Sequence, residues 1–354
     1  MNRGYLVIAA GGTGGHVIPA QVLGEELKQR IDIEYITDSR GLRYFKNIGD
    51  NKIKVLGLKR MGYALWCKLI IIFQIMFYAL KLAIVFIIKR PRLVISFGGY
   101  PCAAAGVAAF LARVPIIIYE QNSVVGKTNS LMMVAAQYII TSFPNVSVKP
   151  RYQKKVHVLR PPNRVAFENM QKTTTDTIIT IIGGSQGSSL FSKVIPDSIN
   201  MLKNKHNVKV FHQVRREDIK KVTEFYIASG INAEVKEFCE NILELFSQSS
   251  ILIARAGASS IFEILYLRKP SILIPLANSA NNHQLFNAKY LADNQAAILI
   301  EEKVLNAELL SNTISNLMSD KRLYEKIENN LAYIEGMQQK KTIRDFIEEV
   351  ISGA

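Results

Sequence analysis

Ile251-Leu252-Ile253-Ala254-Arg255-Ala256-Gly257-Ala258-Ser259-Ser260 runs on into Ile261-Phe262-Glu263-Ile264-Leu265-Tyr266-Leu267-Arg268-Lys269-Pro270, and this stretch decides the fold. Four apolar residues of buried-strand type stop at a turn of small ones, where a backbone can come close to a ligand. A helix is expected to open there. Ser259 and Ser260 are of N-cap type, Ile261, Leu265 and Tyr266 share a face, and Lys269-Pro270 ends the helix before a second apolar run at 271–275. Unpaired N–H groups and the positive end of the helix dipole then make an anion site over the turn, and a phosphate is its natural occupant. Glu263, one turn further in, is placed to accept from a vicinal diol such as a ribose. Asn281-Asn282-His283-Gln284 offers amide and imidazole groups suited to sugar hydroxyls. The plainer reading is a βαβ turn with a solvated Glu.

The same grammar appears upstream. Residues 5–10 read as a buried strand and 17–28 as a helix, with Gly11-Gly12-Thr13-Gly14-Gly15-His16 between them. A dinucleotide fold is the rival here. Gly12 and Gly14 begin its fingerprint, and Asp38 follows the strand 33–37 at the ribose-binding distance, but Val17 stands where the third glycine belongs. His16 beside a glycine anion turn is a candidate general base, because imidazole takes a proton near neutral pH. Strand 93–97 leads into Gly98-Gly99-Tyr100-Pro101 and helix 103–112, and strand 114–119 delivers Glu120-Gln121-Asn122 to its C-terminal end. Helix 127–134 and strand 138–142 close a first unit. Pro144, Pro150, Pro161 and Pro162 mark 143–164 as the linker.

The pattern restarts with strand 177–182, the turn Gly183-Gly184-Ser185-Gln186-Gly187 and helix 188–202. Strands at 208–213 and 297–300 and helices at 306–318, 320–333 and 340–350 complete it, with 234–238 and 241–246 leading into the stretch quoted first. An α/β protein with two Rossmann-like domains facing across a cleft follows. The expected domains are 1–160, 161–335 and a C-terminal helix at 336–354 packing back on the first.

The chain has 354 residues and a net charge of +15, which favours anionic partners: nucleic acid, nucleotide or an acidic membrane face. Cys67, Cys102 and Cys239 are isolated, so reduced thiols are expected rather than a disulfide frame. The start, Met1-Asn2-Arg3-Gly4, leads straight into a strand without signal-peptide design. Residues 64–88 are almost continuously apolar, with Lys59 and Arg60 before and Lys89, Arg90 and Arg92 after. Their length would span a bilayer. Gln74, Lys81 and Lys89 fall within a limited arc, however, and the αβ pattern continues on both sides, so a membrane-contacting helix is favoured over a spanning or buried one.

These turns, in this order, resemble the MurG family, bacterial transferases that move N-acetylglucosamine from UDP onto lipid I in peptidoglycan synthesis. The likeness rests on Gly11 to His16 with Pro19, Phe97-Gly98-Gly99-Tyr100, Glu120-Gln121-Asn122 with Gly126 and Asn129, Gly183 to Gly187, Arg255 to Glu263, and His283-Gln284 with Asn287-Ala288. It implies a GT-B fold and an inverting transfer from UDP-N-acetylglucosamine to undecaprenyl-diphosphate-N-acetylmuramoyl-pentapeptide, lipid I, to give lipid II. It also implies no cofactor, no metal and no nucleic acid, and work at an anionic surface, the cytoplasmic face of the bacterial plasma membrane, as a peripheral protein. His16 is the expected base. Thr13, Gly14, Gly15, Asn122, Arg164, Ser185, Gln186, Ala258, Ser259, Ser260, Glu263, His283 and Gln284 are expected at the donor, and Gly12, Tyr100 and Glu120 on the acceptor side, where Thr13 also helps Tyr100 shape the pocket. Metal-using glycosyltransferases usually carry a D-x-D pair, and only Asp32-Ile33-Glu34 comes near it. The Gly183 turn and the Gly257 helix start would then neutralise the leaving diphosphate, helped by Arg164. Arg160-Pro161, Tyr119 and Asn281-Asn282 depart from the family's usual residues. A soluble nucleotide-sugar epimerase of the same fold is the alternative, and a nucleotide-binding module without activity is a third; the apolar block at 64–88 separates them, since an epimerase has no use for it.

Overall fold

The computed structural model describes residues 4–45, 48–58, 65–162, 176–184, 187–239 and 241–353. The chain forms two compact units, Met1–Arg164 with Gln339–Ala354, and Val165–Gln338.

In the first unit β1 (Tyr5–Ala9), α1 (Gly14–Leu27), β2 (Asp32–Asp38), α2 (Ser39–Leu42), β3 (Ile53–Leu56) and α3 (Leu65–Lys89) precede β4 (Leu93–Ser96), α4 (Tyr100–Leu111), β5 (Ile116–Glu120), α5 (Lys127–Met132), β6 (Tyr138–Thr141) and β7 (Val156–Val158). The strands pair in parallel in the order β3-β2-β1-β4-β5-β6-β7. Parallel strands covered on both faces read as unbroken apolar runs, and every residue of β4 and β5 is buried. Alternation sorts β1 between two cores. Leu6 and Ile8 pack with Val17 and Leu23 of α1, while Val7 and Ala9 pack with Leu82 and Phe86 of α3 and with the small residues of α4.

The second unit holds β8 (Thr177–Ile182), α6 (Ser189–Asn200), β9 (Val208–Gln213), α7 (Ile219–Ala228), β10 (Asn232–Lys236), α8 (Ile242–Gln248), β11 (Ile251–Ala254), α9 (Ala258–Leu267), β12 (Ser271–Leu273), α10 (His283–Ala292), β13 (Ile298–Leu299), α11 (Ala307–Ser319) and α12 (Lys321–Met337). Its parallel order is β10-β9-β8-β11-β12-β13. The last helix, α13 (Ile343–Ser352), belongs to the first unit. Ile343 and Ile347 lie in the α1-side core, and Arg160 and Thr342 form a parallel bridge, with Arg160 N donating to Lys341 O at 3.1 Å. Asn306, Asp320 and Thr342 cap α11, α12 and α13 with their side chains.

Three features differ from the sequence reading, and the exposure of α3 follows it. Residues 143–164 are not a free linker, because Val156 to Val158 form the edge strand β7, half-buried beside β6. Pro144 lies in a turn, and Pro150 opens a short 3-10 helix. α1 opens inside the glycine turn at Gly14, three residues early, with Thr13 at the N-cap position. α9 is capped by Gly257 and not by a serine, so Ser259 and Ser260 lie within its first turn. The α3 segment is not a buried core helix. Trp66 is 76% exposed, Phe73 72% and Ile88 75%, while Leu82 and Phe86 on the opposite side are core. Lys59, Arg60 and Ala64 lie outside the described residues.

Candidate active site

In each sheet the strand order reverses once, between β1 and β4 in the first unit and between β8 and β11 in the second. Loops leaving neighbouring strands in opposite directions open a crevice at that point, and it is where ligands bind in open α/β sheets. The glycine turns sit there in both units.

In the first unit the turns after β1 and β4 touch, with Gly11 N donating to Gly98 O at 3.1 Å. Gly99 has φ +92°, and a Cβ on it would stand 2.8 Å from the Gly11 oxygen, so no other residue fits. Asp38 at the end of β2 is fully buried, and its carboxylate accepts from Gly12 N at 3.0 Å, Gly41 N at 2.8 Å and the Arg40 guanidinium at 2.8 Å. Burial opposes its ionisation, but these donors outweigh it and hold the carboxyl below its ordinary range. That commitment removes Asp38 as a ribose ligand, and the dinucleotide reading falls with it.

His16 stands in the first turn of α1, half-buried, its ring against Gly98, where a Cβ would come within 2.9 Å of its Cε1. Gln121 meets His16 Nδ1 and donates to Gly15 O at 3.2 Å. Glu120 is 1% exposed, and its carboxylate accepts from Gly126 N at 2.8 Å, Asn129 Nδ2 at 2.9 Å, Asn122 N at 3.1 Å and Asn122 Nδ2 at 3.3 Å. Burial nevertheless pushes its carboxyl up. Expected on the acceptor side, Glu120 braces the 121–126 loop, and with it Asn122. Tyr100 opens α4, half-buried, and Thr13 and Gly15 are exposed at the start of α1. Gly12 gives its N–H to Asp38 and Gly14 is buried.

In the second unit Gly184 has φ +85° with open space where a side chain would be, and Gly257 also faces open space. The first intrahelical bond of α9 is Ile261 N to Gly257 O at 3.0 Å, so the N–H groups of Ala258, Ser259 and Ser260 precede the ladder. Glu263 is 7% exposed one turn further in. Ser185, Gln186 and Arg164 lie outside the described residues. Gln284 and His283, expected on sugar hydroxyls, make bonds within their own loop: Leu276 N donates to Gln284 Oε1 at 3.0 Å, and His283 Nδ1 lies 2.7 Å from Ala280 O. Asn281 and Asn282 are left-handed, with φ +52° and +53°, a conformation that Asn tolerates better than most side chains.

Arg255 was read only as part of a small-residue turn, and it is the residue that ties the loops together. Its buried guanidinium donates to Ser188 Oγ at 2.8 Å and Ile274 O at 3.1 Å, pairs with Glu302 at 2.5 Å and lies 4.5 Å over the Phe191 ring. Glu302 in turn accepts from Ala277 N at 2.8 Å, and Asn287 Nδ2 donates to Ala256 O at 3.1 Å. Among the described residues no three His, Cys, Asp or Glu side chains converge.

Two doubly wound parallel units, each with a glycine turn at its switch point, define the GT-B class of fold. The sequence matches the glycosyltransferase family 28 N-terminal domain over residues 6–141 and the family 28 C-terminal domain over 178–350. It is 36% identical to the UDP-N-acetylglucosamine--N-acetylmuramyl-(pentapeptide) pyrophosphoryl-undecaprenol N-acetylglucosamine transferase of Rickettsia felis, covering 98% of this chain and 99% of that protein, and 35% identical to its namesake in Rickettsia canadensis over the same shares. The chain belongs to glycosyltransferase family 28, in its MurG branch. Among solved structures, Acinetobacter baumannii MurG superposes with TM-score 0.79 at 24% identity, covering 99% of this chain and all of that one. A UDP-GlcNAc 2-epimerase from Neisseria meningitidis bound to UDP-GlcNAc shares the fold at TM-score 0.65 and 15% identity, covering 99% of this chain and all of that one.

Proposed function

We propose that this chain transfers N-acetylglucosamine from UDP-N-acetylglucosamine to lipid I, forming lipid II. The observation that carries the reading is identity of 36% over essentially the whole length of a relative named for that reaction. The glycine turns of both units fit it.

The second unit carries the donor. Backbone N–H groups at the start of α9 and the Gly183–Gly187 turn meet the diphosphate, and Glu263 takes the ribose hydroxyls; Ser185, Gln186 and Arg164 extend the same site. Arg255 and Glu302 keep those loops in register. The first unit carries the acceptor, with Tyr100, Gly12 and Thr13 beside His16. The acceptor hydroxyl attacks the anomeric carbon from the face opposite UDP. One C–O bond forms as the bond to the phosphate oxygen breaks, UDP leaves with the electron pair, and the hydroxyl proton goes to His16. Configuration inverts without a covalent enzyme intermediate. The exposed apolar side of α3 meets the bilayer in which the polyprenyl chain is anchored.

Labelled UDP-N-acetylglucosamine with a short-chain lipid I analogue tests this directly. Label in the lipid-linked product is expected. Epimerised nucleotide sugar formed without acceptor, and no lipid-linked label, would replace the reading with an epimerase.

A further inference from the structure

Gln121 follows the last residue of β5 and is only 4% exposed. Its Nε2 donates to Gly15 O at 3.2 Å and also meets Nδ1 of His16. Its Oε1 is buried and has no hydrogen-bond partner among the described residues. An amide nitrogen can only donate, so in this arrangement Nδ1 accepts and the neutral imidazole carries its proton on Nε2. The Gly15 carbonyl fixes that orientation, because an amide oxygen in the same place would face another oxygen at 3.2 Å.

A base that works through Nε2 needs the opposite tautomer, with Nδ1–H donated to an acceptor. The acceptor at hand is the orphaned Oε1, and a buried amide oxygen without a partner is costly to keep. Resting on the assignment of His16 above, we propose that Gln121 is the positioning residue that selects the tautomer of His16. With the amide nitrogen on the ring, His16 is held as an Nε2–H donor and rests. With the amide turned over, which gives up the Gly15 bond and needs Oε1 to shift clear of that carbonyl, Oε1 takes Nδ1–H and Nε2 becomes the basic atom. The acceptor hydroxyl then gives its proton to Nε2, and the resulting imidazolium keeps its Nδ1–H on Oε1 while UDP leaves with the electron pair of the broken bond.

The charged and titratable groups on the surrounding elements are already engaged. Asp38 and Arg40 pair at the end of β2, Glu120 is turned to 122–129, and the Cys102 thiol under Gly98 donates to backbone oxygens of Ala9 and Gly98. Tyr44 packs against Gly14 from the α2 side and Tyr100 opens α4.

The full-length chain with Gln121→Met and Gln121→Glu provides the test, read by kcat, the KM of each substrate, the pH profile and the ¹⁵N shifts of His16. Met fills the space without donor or acceptor. It should lower kcat by roughly 10–100-fold with the UDP-sugar KM unchanged. Glu offers only oxygens to Nδ1–H, so it should recover most of that loss above its own acid limb, and that limb should move up by about one pH unit or more. The spectra should show Nε2–H in the wild-type chain and Nδ1–H in the Glu variant. Wild-type kcat in a folded Met variant, or a Glu variant no better than Met at any pH, overturns the proposal. Spectra that change as expected beside a His16→Ala variant of normal turnover would instead remove His16 from the chemistry.

Discussion

Glu263 and His16 divide the proposed chemistry between the units, and each is separable by one substitution. Glu263→Ala should weaken UDP and UDP-N-acetylglucosamine together, by about 1–3 kcal/mol, the usual cost of leaving buried polar partners unpaired. Isothermal titration of the folded variant checks it, and unchanged UDP affinity removes Glu263 from the site. His16→Ala should lower turnover by roughly 10²–10⁴-fold while UDP affinity, which the proposal assigns to the other unit, stays near normal. Lost UDP affinity would make His16 a donor residue. Both stood out in the sequence as titratable residues beside a glycine turn. The bracing role of other residues did not. Asp38, Glu120, Arg255 and Asn287 look like ligands or bystanders in the sequence, and their partners across the loops, such as Ser188 for Arg255 or Ala256 for Asn287, only come close after folding. A carboxylate at the end of a strand reads the same whether it faces a ribose or its own loop.

At the scale of elements, the central strands and the helices with strong patterns were readable, and β3 and β7 at the edges of the first sheet were not. β3 has four residues and β7 three, each interrupted by a polar side chain, so neither shows the unbroken apolar run of β5. α3 is the element whose sequence left several outcomes open. Its core side, Leu82, Ala83 and Phe86, belongs to the first unit, and its outer side presents Trp66, Leu69, Ile72, Phe73, Met76 and Phe77. A helix with one face inside a domain core cannot cross a bilayer without opening that core, so contact is the outcome that keeps both faces buried. Phe73→Ser with Phe77→Ser should reduce liposome binding and turnover of a long-chain acceptor. A short-chain soluble analogue should still be used at close to the wild-type rate. Equal loss on both acceptors would mean the substitutions damage the fold or the site, and no loss on either would separate α3 from the membrane.

For the whole molecule, the charge of +15 and the apolar side of α3 supply two separate terms of membrane binding. Apolar insertion is short-ranged and indifferent to lipid charge, whereas attraction of basic groups to anionic headgroups amounts to about 1 kcal/mol for each Lys or Arg near the surface and decays within a Debye length. A water-soluble sugar acceptor requires neither; a polyprenyl diphosphate held in an anionic leaflet matches both. Cosedimentation should therefore show binding to vesicles containing anionic lipid at low salt and weaker binding to neutral vesicles. Raising salt should close the gap between the two, leaving the apolar part, which the α3 double variant then removes. Carbonate washing should release the bound protein, because its attachment is to a surface and not through the bilayer. Resistance to carbonate with a protease-accessible loop on the far side would make α3 a spanning helix, and protein left in solution beside anionic vesicles at low salt would make the apolar side of α3 a surface for something other than lipid.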